Sequence, residues 1–462
     1  MPEPLSEYHR LALTDILAGS LVGDVVHGVE RRIFGRTVFP GKATAVVGMR
    51  RAGKTTFIHQ LRRERLEGGT ERTHLPYVSF EDERLSGLDG SQLGFLLEEF
   101  GRRAPEAAGG ARVFWCFDEI QLVPGWERFV RRLLDTGSAD VAVTGSSAAL
   151  LSREISTAMR GRAWEVALYP FSFAESLACA GVEVPSDAGF LAAAERSRVE
   201  RAFLAWLSAG GFPEAQGLDE SSRRQLLRDY VDVAMLRDVV ERHAVTNVLG
   251  LRWLVRQLLG NAGGAFSVEK FHGALKSQGV AVSRDTLHQM VGYVEDCFLV
   301  RTVWMETTSE RQRMVNPRKV YPVDPGLIPI FDRTGRGNVG HALETAVLLE
   351  LERRRCDVTY VRTPGGFEVD FLAREPDGAA HLIQVCADAS APETAARELR
   401  ALEEAKAIHP HARTWLLTLT RDGAPSGATA GSNSGGSDSD AVTVQPAYQW
   451  MLEGSAGAGI AK

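Results

Sequence analysis

Between residues 41 and 170, short apolar and β-branched runs alternate with stretches of helical periodicity. The runs are Ala43–Val47, Tyr77–Phe80, Val113–Phe117 and Val141–Thr144. Apolar runs of this length read as strands buried on both faces, and their alternation with helices predicts a parallel sheet with crossover helices. The clearest helix is Trp126–Asp135. Trp126, Phe129, Val130, Leu133 and Leu134 share one helical face, and Gly137 follows as a stop. Further on the pattern changes. Residues 171–250 read as a helical connector, with amphipathic stretches at Ala193–Ser208 and Ser222–His243 and a break at Gly210-Gly211-Phe212-Pro213. Residues 251–334 read as short helices followed by a hairpin, and residues 335–462 return to α/β. Residues 1–40 form an N-terminal arm with a short helix or two. Gly423–Asp440 is rich in Gly, Ser, Ala and Asp and is expected to be a disordered loop inside the last domain.

Composition narrows the class. The chain has 462 residues, 44% hydrophobic and 24% charged, which is ordinary for a soluble globular protein of several domains. A formal net charge of −6 excludes a global attraction to nucleic acid, so any DNA contact must come from a local patch. No apolar run approaches the ~20 residues that span a bilayer, so no membrane partner is expected. The start, Met1-Pro2-Glu3-Pro4-Leu5-Ser6-Glu7, lacks the basic and apolar regions of a signal peptide. The 5 cysteines are scattered, which fits a cytoplasmic location and argues against a zinc or disulfide framework.

Candidate chemistry begins after the first strand. Gly48-Met49-Arg50-Arg51-Ala52-Gly53-Lys54-Thr55 is a G-x-x-x-x-G-K-T sequence between a strand and a helix, the setting a phosphate-binding loop requires. Glycines let the backbone wrap a polyphosphate with N–H groups pointing inward at a helix N-terminus. The candidate contacts to ATP are Gly48, Arg50, Arg51, Ala52, Gly53, Lys54, Thr55 and Thr56. Lys54 would reach the outer phosphates, and the Thr55 hydroxyl would ligate Mg²⁺. Of 53 basic residues only 7 are lysine, against 46 arginine, yet this position is lysine. A compact ammonium fits a tight loop that a planar guanidinium does not.

The run Val113-Phe114-Trp115-Cys116-Phe117 ends in Asp118-Glu119. Acids at the C-terminal end of a parallel strand sit where such sheets bind ligands. Asp118 is placed to hold Mg²⁺ and Glu119 to activate water. The strand Val141–Thr144 leads into Gly145-Ser146, where Thr144 and Ser146 are candidate γ-phosphate contacts. An ordinary turn after a strand reads the same way. Arg162, after Gly161, is a candidate arginine finger in cis or from a neighbouring subunit, or a plain surface residue.

The segments VVGMRRAGKTT, VFWCFDEIQLVPGWE, VTGSSAALLS, GRAWEVALYPFSFAE and GGFPEA, with RDVVERHAV, VYPVDPGL and FEVDF…LIQV, resemble a known family. These are bacterial and archaeal AAA-type ATPases with a C-terminal domain of unknown function. The resemblance spans roughly residues 30–420 and implies an α/β P-loop NTPase core with a parallel sheet of the additional-strand, catalytic-glutamate type. It further implies, after the connector, a winged helix and a small α/β domain similar to restriction endonucleases.

In the winged-helix stretch, Ser267 and Ser283 are good helix caps. The second helix, about 284–296, would bury Leu287, Met290, Val291 and Val294. Phe298–Thr302 and Lys319–Val323 would be wing strands. Arg284, His288, Gln289, Arg311, Arg313, Arg318 and Lys319 form a modest basic patch, diluted by Asp285, Glu295, Asp296, Glu306 and Glu310. Residues 267–320 are therefore a candidate surface for DNA or for a protein partner. In the last domain, Glu344, Asp370 and Gln384 match the metal-binding positions of the PD-(D/E)xK pattern, but Cys386 stands where its lysine belongs. Lys406 and the region of Arg397 are candidates to supply the missing cation. A neutral thiol supplies no charge, so DNA cleavage is not expected. The expected activity is slow Mg²⁺-dependent ATP hydrolysis driving a conformational cycle, with a homo-oligomer as one setting. The alternatives are a DNA-associated ATPase, a nucleotide-gated switch for a partner and, disfavoured, an ATP-dependent nuclease.

Overall fold

The computed structural model describes residues 4–34, 38–108, 112–145, 159, 161–183, 191–332, 338–425 and 441–456. The chain divides into two compact units, Met1–Leu168 and Tyr169–Lys462.

The first unit opens with helix α1 (Glu7–Val22), whose N-terminus is capped by Ser6. It continues through β1 (Ala43–Val47), α2 (Lys54–Glu67), β2 (Tyr77–Ser79), α3 (Gly94–Arg103), β3 (Val113–Asp118), α4 (Trp126–Asp135), β4 (Ala139–Gly145) and β5 (Ala163–Ala167). The five strands form one sheet in the order β2-β3-β4-β1-β5. All of its pairings are parallel. β4 thus lies between the strand leading into the phosphate loop and the strand ending in Asp118. β1 and β3 are buried along their whole length, as their apolar runs predict. The periodic face of α4 packs inward, with Phe129 edge-on to Phe117 at 5.7 Å between ring centroids. Each such buried aromatic or aliphatic side chain contributes roughly 1.5–3 kcal/mol. The fifth strand is not among the expected runs, because Trp164 and Glu165 interrupt its apolar pattern with half-buried and exposed positions.

The second unit begins with α5 (Phe173–Cys179), α6 (Ala193–Ala209) and α7 (Glu220–Val233). α7 runs on into a π-helix, Ala234–Glu241, so the expected helix Ser222–His243 changes its hydrogen-bond pitch partway. Next come α8 (Val248–Gly260), β6 (Ala265–Phe266), α9 (Val268–Ser277), α10 (Arg284–Asp296), β7 (Val300–Met305) and β8 (Arg318–Pro322). Ser267 and Ser283 cap α9 and α10 through their side chains. Leu287, Met290, Val291 and Val294 are buried beneath α10. The remainder is α11 (Val339–Arg353), β9 (Asp357–Arg362), β10 (Glu368–Arg374), β11 (Ala380–Cys386), α12 (Pro392–Ile408), β12 (Arg413–Thr418), β13 (Thr443–Pro446) and α13 (Ala447–Ala456). In the Gly423–Asp440 tract, residues 426–440 lie outside the described residues.

The strands of this unit form one eight-stranded sheet, β13-β12-β11-β10-β9-β7-β8-β6. β7 pairs in parallel with β9, Trp304 opposite Thr359 and Met305 opposite Tyr360. The strands expected to form the wing are thus built into the C-terminal sheet, and strands on both sides of the expected division at residues 334/335 belong to it. The reason is elementary. A hairpin edge carries unpaired N–H and C=O groups, and pairing β7 with β9 satisfies both strands.

Candidate functional site

The phosphate loop joins β1 to α2. Gly48 has φ 154° and Gly53 φ 95°. At Gly48 a side chain would also collide with the carbonyl oxygen of Leu168, so two constraints require glycine there. Arg51 adopts the left-handed region at φ 66°. Alternating backbone of this kind makes the concave N–H nests that cradle phosphates. Arg50 is half-buried, Arg51 exposed and Ala52 buried. Thr55 is exposed and Thr56 half-buried on the first turn of α2.

Lys54 is 5% exposed. Its ammonium donates to the carbonyls of Gly48 and Met49, each at 3.2 Å, and lies 3.8 Å from Glu119 Oε1. Sequence reasoning misses Arg31. This buried residue donates from its guanidinium to Ala52 O at 2.7 Å, while its backbone N–H donates to Gln60 Oε1 at 2.8 Å. Through these bonds the N-terminal segment is strapped to the loop and to α2. No spacing motif points to it.

Asp118 is the hub on the opposite side. Its Oδ2 accepts from the Thr55 hydroxyl at 2.8 Å and from the Tyr77 hydroxyl at 2.9 Å, and its Oδ1 accepts from the Thr144 hydroxyl. The Thr144 oxygen in turn accepts the backbone N–H of Glu119 at 2.8 Å. A hydroxyl has one proton, and that of Thr144 is directed to Asp118, so Thr144 braces the two acids. Ser146 lies outside the described residues. Tyr77, also missed, stands at the start of a three-residue strand with no motif around it.

Glu119 turns sharply out of β3 at φ 51°. It is 7% exposed; burial pushes its carboxyl above the usual range, while Lys54 and the amide of Gln121, which donates to it, pull it back. A partly desolvated carboxylate beside a lysine can accept a proton from water. The Thr55 hydroxyl and the Asp118 carboxylate are hard oxygen donors within 2.8 Å of each other, a pair that suits Mg²⁺. Beside the hub lies a cavity of ≈ 320 Å³ lined by Ser20, His59, Arg62, Tyr77 and Asp82. Burial and then Arg62 lower His59 to about 4, so that ring is neutral near pH 7.

Arg162 sits elsewhere. Its carbonyl accepts from Ala43 N, at the start of β1, and its guanidinium pairs with Asp135. The phosphate loop leaves the other end of β1, about 15 Å away at ~3.3 Å per residue. Arg162 thus lies by the opposite end of β1 from its own phosphate loop.

In the second unit, Glu344 on α11 and Asp370 on β10 converge, joined by Glu368. Gln384 Oε1 accepts from Asp370 N at 3.3 Å, and its amide donates to Glu398 at 2.8 Å. Cys386 instead donates from Sγ to Asp388 O. Neither expected replacement cation enters the cluster. Lys406 donates to Ala412 O, and Arg397 pairs with Glu398. The cation is Lys319, on β8. It is expected in the solvent-facing patch and is 5% exposed. Three other members of that patch have partners of their own. Arg284 pairs with Glu269 at 3.1 Å, and Arg313 and Arg318 lie over Trp304.

A family profile described as an AAA domain matches residues 40–177, and one described as a domain of unknown function (DUF8612) matches residues 200–335. An uncharacterized protein of Methanocaldococcus jannaschii is 32% identical over 373 residues, 80% of this chain and 79% of its own length. An uncharacterized protein of Haemophilus influenzae is 27% identical over 333 residues, 72% of this chain and 79% of its own. Among solved structures, the Walker-type ATPase of Pyrococcus abyssi is 15% identical with a TM-score of 0.36, covering 72% of this chain and 99% of that one. The Aeropyrum pernix ORC1 protein in complex with DNA is 16% identical with a TM-score of 0.27, covering 71% and 92%. Among the described residues, no helix is long and apolar enough to cross a membrane. The phosphate loop, the interposed β4 and the extent of the match to the Methanocaldococcus protein agree: the chain belongs to that protein's family, the AAA-type P-loop ATPases of archaea and bacteria.

Proposed function

We propose that the first unit binds ATP with Mg²⁺ and hydrolyses it slowly to drive a conformational cycle. The observation that carries this reading is the continuous hydrogen-bonded chain Thr55–Asp118–Thr144–Glu119, which ties the loop's hydroxyl to both acids. Thr55 and Asp118 would hold Mg²⁺, whose charge offsets that developing on the phosphates. Gly48–Thr55 binds the polyphosphate, and Lys54 draws off charge from its outer oxygens. Glu119 takes the proton of the attacking water. Arg162, remote from its own loop, serves the loop of a second copy. Thus we read the working form as a homo-oligomer in the cytoplasm.

The second unit is read as a connector followed by a winged helix joined to an endonuclease-like sheet that does not cut DNA. The exposed positions of α10 favour a protein partner over DNA. They include Asp285, and the one arginine of the helix, Arg284, is paired with Glu269. The deciding experiment is the ATPase rate with and without duplex DNA, measured beside particle mass in ATP and ADP. Nucleotide-dependent mass without DNA stimulation supports the partner switch. Strong DNA stimulation overturns it in favour of a DNA-associated ATPase.

A further inference from the structure

Lys319 Nζ lies 3.1 Å from Glu344 Oε1, 3.0 Å from Glu368 Oε1 and 3.0 Å from Asp370 Oδ1. The three carboxylates come from α11 and β10, and the lysine reaches them from the hairpin strand β8. An ammonium has three N–H donors and no acceptor; Glu344 and Asp370 each accept one of them, and Glu368 adds an ion pair. The acids are otherwise engaged as well. Tyr321 donates to Glu344 Oε1 at 2.6 Å, Val385 N to Asp370 Oδ2 at 3.0 Å, and Arg362 pairs with Glu368 Oε2 at 3.3 Å. Burial by itself would lower the lysine's pKa, but Asp370, Glu344 and Glu368 raise it above the usual lysine range.

The geometry points to Lys319 as the resident cation of this centre. It stands in the position that a divalent metal would take between Glu344 and Asp370, and it latches the wing hairpin to the C-terminal sheet. One argument separates this role from that of a nuclease lysine. A divalent ion held by these oxygens would sit at ~2.0–2.6 Å from them, in the space the ammonium fills. The choice of lysine also follows. A planar guanidinium delivers its donors in a fork, whereas a tetrahedral ammonium reaches three converging carboxylates at once. This deepens the reading of the second unit as a non-cutting module and is independent of the ATPase reading.

The test uses the full chain without nucleotide. Mn²⁺ is titrated by electron paramagnetic resonance, and thermal unfolding is followed in chelator and in Mn²⁺. Wild-type protein is expected to bind no Mn²⁺ that Asp370→Asn removes. Lys319→Met should unfold several degrees lower in chelator and recover in millimolar Mn²⁺, and that recovery should vanish in Lys319→Met/Asp370→Asn. Lys319→Arg should keep the charge yet still unfold below wild type. Asp370-dependent Mn²⁺ binding by the wild-type protein would overturn the inference. So would Mn²⁺-dependent DNA cutting that Lys319→Met abolishes, or unfolding of Lys319→Met at the wild-type temperature. If Lys319→Met does not fold, the wild-type titration alone decides. ATP binding and turnover enter none of these readouts, so failure here leaves the ATPase reading untouched.

Discussion

The chain buries two lysines to the same degree, each 5% exposed, in surroundings that make them opposites. Lys54 donates to two neutral carbonyls of its own loop and lies 3.8 Å from one acid. Lys319 is held at 3.0–3.1 Å by three carboxylates from other elements. Carbonyls are weak partners that a polyphosphate can displace, whereas three carboxylates within 3.1 Å more than balance the charge of the ammonium. Burial of a lysine therefore does not mark a binding site. What distinguishes binding from bracing is how much of its charge the protein has already answered.

Substitution can break this contrast. Lys54→Ala should lose ATP binding while unfolding as the wild-type protein does, the reverse of the profile expected at Lys319. Calorimetric titration with ATP, beside thermal unfolding, checks it; near-wild-type affinity would dissolve the contrast. Glu119→Gln should keep ATP affinity and slow hydrolysis by at least ~10²-fold, as loss of a general base does. A fall of less than tenfold in single-turnover assays would leave the Lys54–Glu119 proximity as structure only.

Mixing Arg162→Ala with Lys54→Ala, each inactive alone, should restore part of the turnover, because one supplies an intact loop and the other an intact finger. An unchanged rate in Arg162→Ala leaves that turn as surface. Thr144→Val sharpens the contrast on the binding side. It removes the donor to Asp118 and strands the Glu119 N–H, a loss of about 1–3 kcal/mol. Hydrolysis should drop roughly tenfold with ATP affinity nearly kept, and Thr144→Ser should restore it.

The smallest effect lies at Asp324, a buried acid with no cation in contact. It accepts from Gly211 N at 2.6 Å and Gly326 N at 2.9 Å. Burial raises its pKa to about 6, although those two N–H groups and Arg353 pull it down. The folded protein thus holds this proton to a higher pH than the unfolded chain, whose carboxyl titrates near 3.8. Its contribution to stability is full below that value and is lost as pH rises through about 6. Urea midpoints between pH 4 and 7 should fall more steeply for wild type than for Asp324→Asn. Parallel profiles would show that this acid does not titrate in the window.

What the sequence discloses is whatever a local pattern can carry. Gly48–Thr55 and Asp118-Glu119 are contiguous, and α4 announces its buried face by spacing, so the phosphate loop and its acids are legible from the residues alone. Tyr77, Arg31 and Lys319 act across gaps of many residues and leave no spacing to read. Lys319 reads as part of a basic patch because Arg318 stands beside it in the sequence. β8 is instead buried at every position but its first, which erases the period-two signal. Cys386 misleads for the opposite reason: it stands where the motif's lysine belongs, while the cation of that centre arrives from a different strand. One compositional clue is there to use. The rarity of lysine that flags Lys54 applies equally to Lys319.

The parallel pairing of β7 with β9 has a consequence for how this protein can be divided. Cutting the chain at residue 334 would not release two domains. It would bare the flank of one strand on each piece, raw templates for pairing with whatever strand came next, and would pull Lys319 away from its three acids. Hairpin and C-terminal sheet are thus one continuous piece of architecture.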